Sequence, residues 1–262
     1  MFTKEHLKKQ IQALGITPTD NVLIHSSMKA IGETENGADG LIDAFCEYLT
    51  DGLFIVPTHT WNNVTRTQPI FDVNKTVPCI GIIPTVAAFR KDGIRSLHPT
   101  HSIWVHGKNA ADFIRGEEKQ TTPASPTSCW ARLVDIKTKI LLIGVGNDKN
   151  TFIHSVDELI DLPDRLAEIP FDTTIIDYDG NTIHGSMVNH ACSHCETVSA
   201  YYTNFDKAFN EMGVQHFGMI GNAETRVVDA ALCREIVYRI YSRIGGDVTI
   251  QTMDIPEEAY RH

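Results

Sequence analysis

Residues 139–158 read KILLIGVGNDKNTFIHSVDE. The apolar run, Ile140 to Ile143 and then Val145, has no polar alternation. That is the pattern of a strand covered on both faces. The run leaves through Gly144-Val145-Gly146 and enters a segment with helical spacing from about residue 151, with Thr151 as its candidate cap. A buried strand that feeds a helix is the unit of an α/β sheet. The connection allows three readings: a nucleotide-binding turn, a catalytic His–carboxylate pair built on His154, or a plain strand-to-helix link.

The same alternation extends to both sides. Leu7, Ile11 and Leu14 follow helical spacing, and Gly15 can close that helix. NVLIHSS (21–27) and LFIVP (53–57) are further buried strands around the amphipathic segment 40–50. Residues 58–80 show neither period, but Trp61 and Phe71 favour an ordered loop, and loops of this length are usually functional. Pro84 opens a helix, 101–107 reads as a strand and 108–115 as a helix. Ser125-Pro126 supplies an N-cap and first helical residue for the segment that follows. TTIIDY and NTIHGSM form a hairpin with Asp179-Gly180 as a two-residue turn. Residues 195–213 and 223–245 read as helices joined by the short strand HFGMI. The pattern predicts a three-layer α/β/α sandwich around a mixed β-sheet. We expect one domain over 1–262, with 170–215 as a hairpin-plus-helix subdomain.

Bulk properties narrow the function. The chain has 262 residues, 42% of them hydrophobic, and a formal charge of −10. An acidic surface argues against phosphate-backbone binding, so no nucleic-acid partner is expected, and it suits a cationic small molecule. The first fifteen residues lack an apolar core of signal-peptide length, and no run approaches the roughly 18 apolar residues of a membrane span. The six cysteines, at 46, 79, 129, 192, 195 and 233, do not suggest a disulfide framework. The expectation is a reduced, cytoplasmic protein, monomeric or homodimeric, without a membrane partner.

Four clusters carry possible chemistry. His154 and Asp157 sit at i and i+3 and share a helix face, with Glu158 at i+4 as a second candidate. A carboxylate can hold one imidazole nitrogen and leave the other free to take a proton. The dinucleotide reading of 144–146 fails because Lys149 stands where a third glycine is needed. The glycines then serve as the exit turn of the strand. HSSMKAIG (25–32) offers two hydroxyls and backbone N–H groups at a strand end, where a phosphate can sit. RSLHPTHSIW (95–104) groups Arg95, His98, His101 and Ser102. NHACSHCE (189–196) places Cys192 and Cys195 beside His190 and His194, which can supply zinc ligands, although four ligands within six residues strain a tetrahedral site. Buried thiols are the simpler reading, and no metal is assigned. Serine-hydrolase elbows and Walker loops are absent from the sequence.

Taken together, NVLIHSSMKAIG, FDVN, RSLHPTHSIWVHGKNA, SPTSCWARL and KILLIGVGNDKNTFIHSVDE resemble the aminoglycoside 3-N-acetyltransferase family from about residue 4 to about 245. The resemblance implies a three-layer α/β/α fold and transfer of an acetyl group from acetyl-CoA to an amine of a cationic aminocyclitol. It implies that Ser26, Ser27 and Met28 hold the cofactor's pyrophosphate and pantetheine, with His98, Ser102 and Ser125 as further cofactor-side positions. His154 matches the general base and Asp157 its carboxylate partner, usually Glu in the family. Asp72 matches an acidic substrate contact. Backbone N–H groups through Lys29 are expected to face the oxyanion. Trp61, Asn189 and Glu196 are expected on the substrate side without a family match. Asp157 is one methylene shorter than Glu, so whether it reaches His154, or Glu158 replaces it, is a question for the tertiary structure.

Overall fold

The computed structural model describes residues 1–193 and 197–261. In chain order the elements are α1 (Lys4–Ala13), β1 (Val22–Ser26), α2 (Met28–Ile31), α3 (Gly37–Tyr48), β2 (Leu53–Pro57), β3 (Ile70–Asp72), α4 (Ile82–Phe89), β4 (Ile94–Arg95), β5 (Ile103–Gly107), α5 (Ala110–Phe113), α6 (Cys129–Arg132), β6 (Lys139–Ile143), α7 (Phe152–Leu159), β7 (Phe171–Ile176), β8 (Thr182–Met187), α8 (Asp206–Glu211), β9 (Gln215–Ile220), β10 (Ala223–Asp229) and α9 (Ala230–Ile244). Seven strands form the main sheet in the order β4-β5-β2-β1-β6-β10-β9. Its centre, β2-β1-β6, is parallel, and antiparallel strands close both sides.

The period of two within the apolar strands builds the layers. Leu23, Ile55, Ile140 and Leu142 point into one core with α5, α6, α7, α8 and α9. Val22, Ile24, Phe54, Leu141 and Ile143 point into the other with α1, α3 and α4. The three-layer sandwich and mixed sheet follow as expected, because a strand with no polar face needs helices on both sides. Gly144 makes the exit turn of β6: its φ is +67°, and a Cβ there would lie 2.4 Å from the Ala30 Cβ. The glycine lets the start of α2 sit against β6, where the Ser27 N–H donates to Ile143 O at 2.9 Å.

Several local expectations are corrected. Residues 223–229 form strand β10, not the first part of a helix. Ile220 pairs with Ala223 across Gly221-Asn222, a two-residue hairpin turn with φ +60° at Gly221. Asp229 ends the strand and caps α9 by accepting from the Leu232 N–H at 2.9 Å. The β7–β8 turn is also longer than two residues. Asp177 folds the tip by accepting from the N–H groups of Asp179 and Asn181. The predicted helix 195–213 shrinks to a 3₁₀ turn, Tyr202–Phe205, followed by α8. Asn204 instead spends its amide on Val248 O and Gln251 O, both at 2.7 Å. Ser128, not Ser125, precedes the short helix α6. Finally, β7 and β8 pair with β3 from the long loop to make a separate three-stranded sheet, while α8 packs in the main core.

Candidate active site

The register of the main sheet gathers the candidate clusters at one edge. The parallel strands β1, β2 and β6 all end there, so Ser27–Lys29, Thr58–Thr60 and Gly144–Thr151 leave the sheet side by side. Pro57 pairs with Ile103, which brings the segment before β5, His98 to Ser102, to the same edge. Ligands bind at the carboxyl ends of strands in open α/β sheets.

His154 lies in the first turns of α7, buried with 9% exposure. Asp157 is 1% exposed, and its Oδ2 is 4.0 Å from His154 Nδ1, beyond hydrogen-bond reach. Tyr202 closes the gap. Its hydroxyl lies 2.7 Å from His154 Nδ1 and donates to Asp157 Oδ2. An ionised carboxylate only accepts, so the order is His154 Nδ1–H to Tyr202 Oη, then Tyr202 O–H to Asp157. This leaves His154 Nε2 with its lone pair. Tyr241 donates to Asp157 Oδ1 at 3.2 Å, and Arg165 Nε stands 3.4 Å from Oδ2. Arg165 is itself tied to Asp247 and Thr249. Burial pushes the Asp157 carboxyl up to about 6, against the pull of Tyr202 and Arg165. Burial, the neighbouring His190 and the Arg165 charge hold His154 well below its ordinary range, so its imidazole is neutral.

Glu158 does not substitute for Asp157. It is occupied by Thr122 Oγ1, the Ala124 N–H at 2.7 Å and His190 Nε2 at 3.2 Å. Tyr202, Tyr241 and Arg165 escape the sequence reading, and His190 enters it only as a candidate zinc ligand, since each comes from a distant segment and none stands in a recognisable spacing with His154. Histidines crowd the same edge: His190 stacks on His154 with ring centroids 4.1 Å apart, and His101 meets His190 at 5.1 Å and His59 at 4.6 Å.

The other expected residues divide. Ser26 ends β1, and Ser27 caps α2 by accepting from the Ala30 N–H at 3.3 Å, with Met28 half-buried and Lys29 exposed after it. His98 is fully buried, its Nδ1 accepting from the N–H groups of Thr100 and His101 and its Nε2–H donating to Thr122 O at 3.0 Å. Ser102 is fully buried too, with its hydroxyl donating to Thr58 O at 2.8 Å and accepting from Arg95 Nε at 3.1 Å. Both hold the loops of the site in place. Ser125 donates to Gln120 Oε1 at 2.5 Å and lies in the loop tied to Glu158 through Ala124. Asp72 ends β3, caps the Asn74 N–H and pairs with Lys75 at 2.9 Å. Trp61 is 45% exposed in the long loop. Asn189 pairs through its carbonyl with the Ala167 N–H, and its buried Oδ1 has no hydrogen-bond partner among the described residues. Glu196, His194 and Cys195 lie outside the described residues.

The metal alternatives weaken. Cys192 is disulfide-bonded, which corrects the expectation of a fully reduced chain and removes its sulfur from thiolate ligation. Cys46, Asp92 and His106 bring ligand atoms within 4.8 Å of one another. However, Arg90 already sits on both Asp92 oxygens, at 3.0 and 2.5 Å. Among the described residues no helix is long and apolar enough to cross a membrane.

Comparison with known proteins agrees with this fold. The family model described as aminoglycoside 3-N-acetyltransferase matches residues 23–241. The chain is 27% identical over 253 residues to aminoglycoside N(3)-acetyltransferase IV of Salmonella sp, covering 95% of this chain and 90% of that protein. It is 22% identical to aminoglycoside N(3)-acetyltransferase III of Serratia marcescens, over 88% of this chain and 93% of that one. Among solved structures, a histidine-to-alanine mutant of AAC(3)-IVa in complex with a gentamicin superposes with TM-score 0.78 at 25% identity, over 92% of this chain and 89% of that one. AAC-IIIb with CoASH shares the fold with TM-score 0.79 at 20% identity, over 92% and 97%. The chain therefore belongs to the aminoglycoside 3-N-acetyltransferase family.

Proposed function

We propose that this protein transfers the acetyl group of acetyl-CoA directly to an amine of an aminoglycoside, with His154 as general base. The observation that carries the mechanism is the buried chain His154–Tyr202–Asp157. An ammonium has no lone pair, so the amine must lose a proton before or as it attacks. His154 Nε2 takes that proton. The C–N bond forms and the thioester C–S bond breaks; of the two protons that an ammonium nitrogen sheds in becoming an amide, one passes through His154 to the departing CoA thiolate and the other is released to solvent. Charge on the imidazolium is supported through Tyr202 by Asp157, which fixes the tautomer as well. A thioester is already activated, so no covalent enzyme intermediate is needed.

On this reading Ser26, Ser27 and Met28 hold the cofactor at the ends of β1 and α2. The N–H groups of Met28 and Lys29 face the oxyanion. Asp72, Trp61, Asn189 and Glu196 form the substrate side, and the overall acidity attracts a polycation. The CoASH complex of one structural relative and the gentamicin complex of another support both ligand classes. The test is CoA release from acetyl-CoA with a panel of aminoglycosides. Turnover should appear with at least one and be lost in His154→Ala. Acetyl-CoA binding without turnover on every aminoglycoside would favour a different amine as acceptor. Full activity of His154→Ala would remove the base assignment.

A further inference from the structure

We propose that His190, held by Glu158, is a positioning residue that fixes the plane of the His154 ring; the proposal rests on His154 being the base. The hydrogen bond from His154 Nδ1 to Tyr202 Oη anchors one edge of the imidazole. That bond restrains the final side-chain torsion, which is intrinsically broad for an imidazole, from one edge of the ring only. The face of the ring is where the second constraint acts. His190 lies against it with centroids 4.1 Å apart and an interplanar angle of 30°.

His190 is itself fixed from several directions. Its Nε2–H donates to Glu158 Oε1 at 3.2 Å. Its backbone bridges to Leu166, and its neighbours extend that ladder: the Ala167 N–H donates to Asn189 O at 2.9 Å and the Ala191 N–H to Arg165 O at 3.0 Å. The same short ladder therefore carries Arg165, the counter-charge of Asp157, and His190, the lid on His154. His101 meets the His190 ring edge-on at 5.1 Å, on a separate contact. Glu158 lies one helix position beyond Asp157, so α7 presents two carboxylates with different tasks. Asp157 holds the edge of the base through Tyr202, and Glu158 holds its face through His190. Neither His190 nor Glu158 needs to touch the reacting atoms.

The test is a kinetic comparison of the whole protein with acetyl-CoA and an accepted amine. Removing a ring that only orients the base should lower kcat and leave acetyl-CoA binding intact. His190→Ala is expected to lose about tenfold in kcat with the KM for acetyl-CoA unchanged, since small misplacements of a reacting group are costly. His190→Phe restores a flat face and should recover most of that loss. If His190→Ala does not fold, His190→Gln keeps a donor for Glu158 without the ring and should show the same fall. The deciding measurement is a double-mutant cycle with His154→Ala. Once the base is gone its orientation is irrelevant, so His190→Ala should then cost nothing further. An equal tenfold loss in both backgrounds would overturn the proposal, as would wild-type kcat in His190→Ala. Full activity of His154→Ala alone would instead remove the base assignment, a distinguishable failure.

Discussion

Replacing Tyr202 by Phe removes one oxygen from the centre of the site and keeps the packing. Tyr202 is fully buried among Phe205, Phe209 and Tyr241, so the ring should stay in place. Its hydroxyl is the direct link between base and carboxylate, because His154 Nδ1 and Asp157 Oδ2 stand 4.0 Å apart. Asp157 cannot take over without moving, since a hydrogen bond needs about 3.2 Å or less. The variant therefore forfeits a hydrogen bond to a charged group, worth about 1.5–3 kcal/mol, on which the imidazolium depends. Converted at 1.36 kcal/mol per tenfold, kcat should fall about 10- to 150-fold. Asp157 keeps Tyr241 and Arg165, so the stability loss should stay near 1–2 kcal/mol. The KM for acetyl-CoA should not change. Steady-state kinetics with a denaturation curve on the same preparation measure both effects. A Tyr202→Phe enzyme within about threefold of wild-type kcat would show that the Asp157 charge does not reach the base through Tyr202.

The remaining predictions address the surroundings of that chain. Asp157 titrates near about 6 in the fold against an ordinary 3.8. Its raised value makes the charged form a cost that is complete above 6 and fades as pH falls towards 3.8. Asp157→Asn should therefore gain stability relative to wild type on going from about pH 4 to about pH 8, by at most about 3 kcal/mol, and lose activity throughout. Equal stability differences at both pH values, read from urea midpoints, would contradict this. The acid limb of kcat/KM should lie near pH 6 and report the linked His154–Asp157 pair rather than either group. Arg95→Ala should cost about 3–5 kcal/mol in chemical denaturation, because its fully buried guanidinium binds Thr58, Thr76 and Ser102 and covers Phe71 at 5.0 Å. Gly144→Ala should raise the KM for acetyl-CoA and lower Tm, since both its φ of +67° and the 2.4 Å approach to Ala30 disturb the start of α2; an unchanged KM would disconnect that turn from cofactor binding.

Local patterns are enough for the layers and for the position of the base. The apolar run before Gly144 can only be a strand with helices on both sides, and His154 at the start of the next helix falls at the ligand-binding edge. The family resemblance comes from five short segments in order, and the match over residues 23–241 bears it out. A hairpin signal also stands in the sequence: Gly221-Asn222 between alternating residues marks a two-residue turn, but the polar face of β10 resembles an exposed helix. The helix expected over 195–213 fails for a different reason. Asn204 finds carbonyl partners on the segment after α9, a preference that no local window reveals.

Local pattern therefore suffices for the alternation of strands and helices and for the presence of a His–carboxylate pair at one strand exit. The sheet order, with β10 antiparallel beside β6, depends on pairing between segments some 80 residues apart, as from Leu142 to Arg226. How the pair works was likewise decided only in three dimensions. Asp157 is too short to reach His154, so Tyr202 from a different segment bridges them, while Glu158, an equal candidate by spacing, turns to His190. Helical spacing fixes which residues share a face; it does not fix which distant side chain fills the space between them, and that space determines the chemistry of this site.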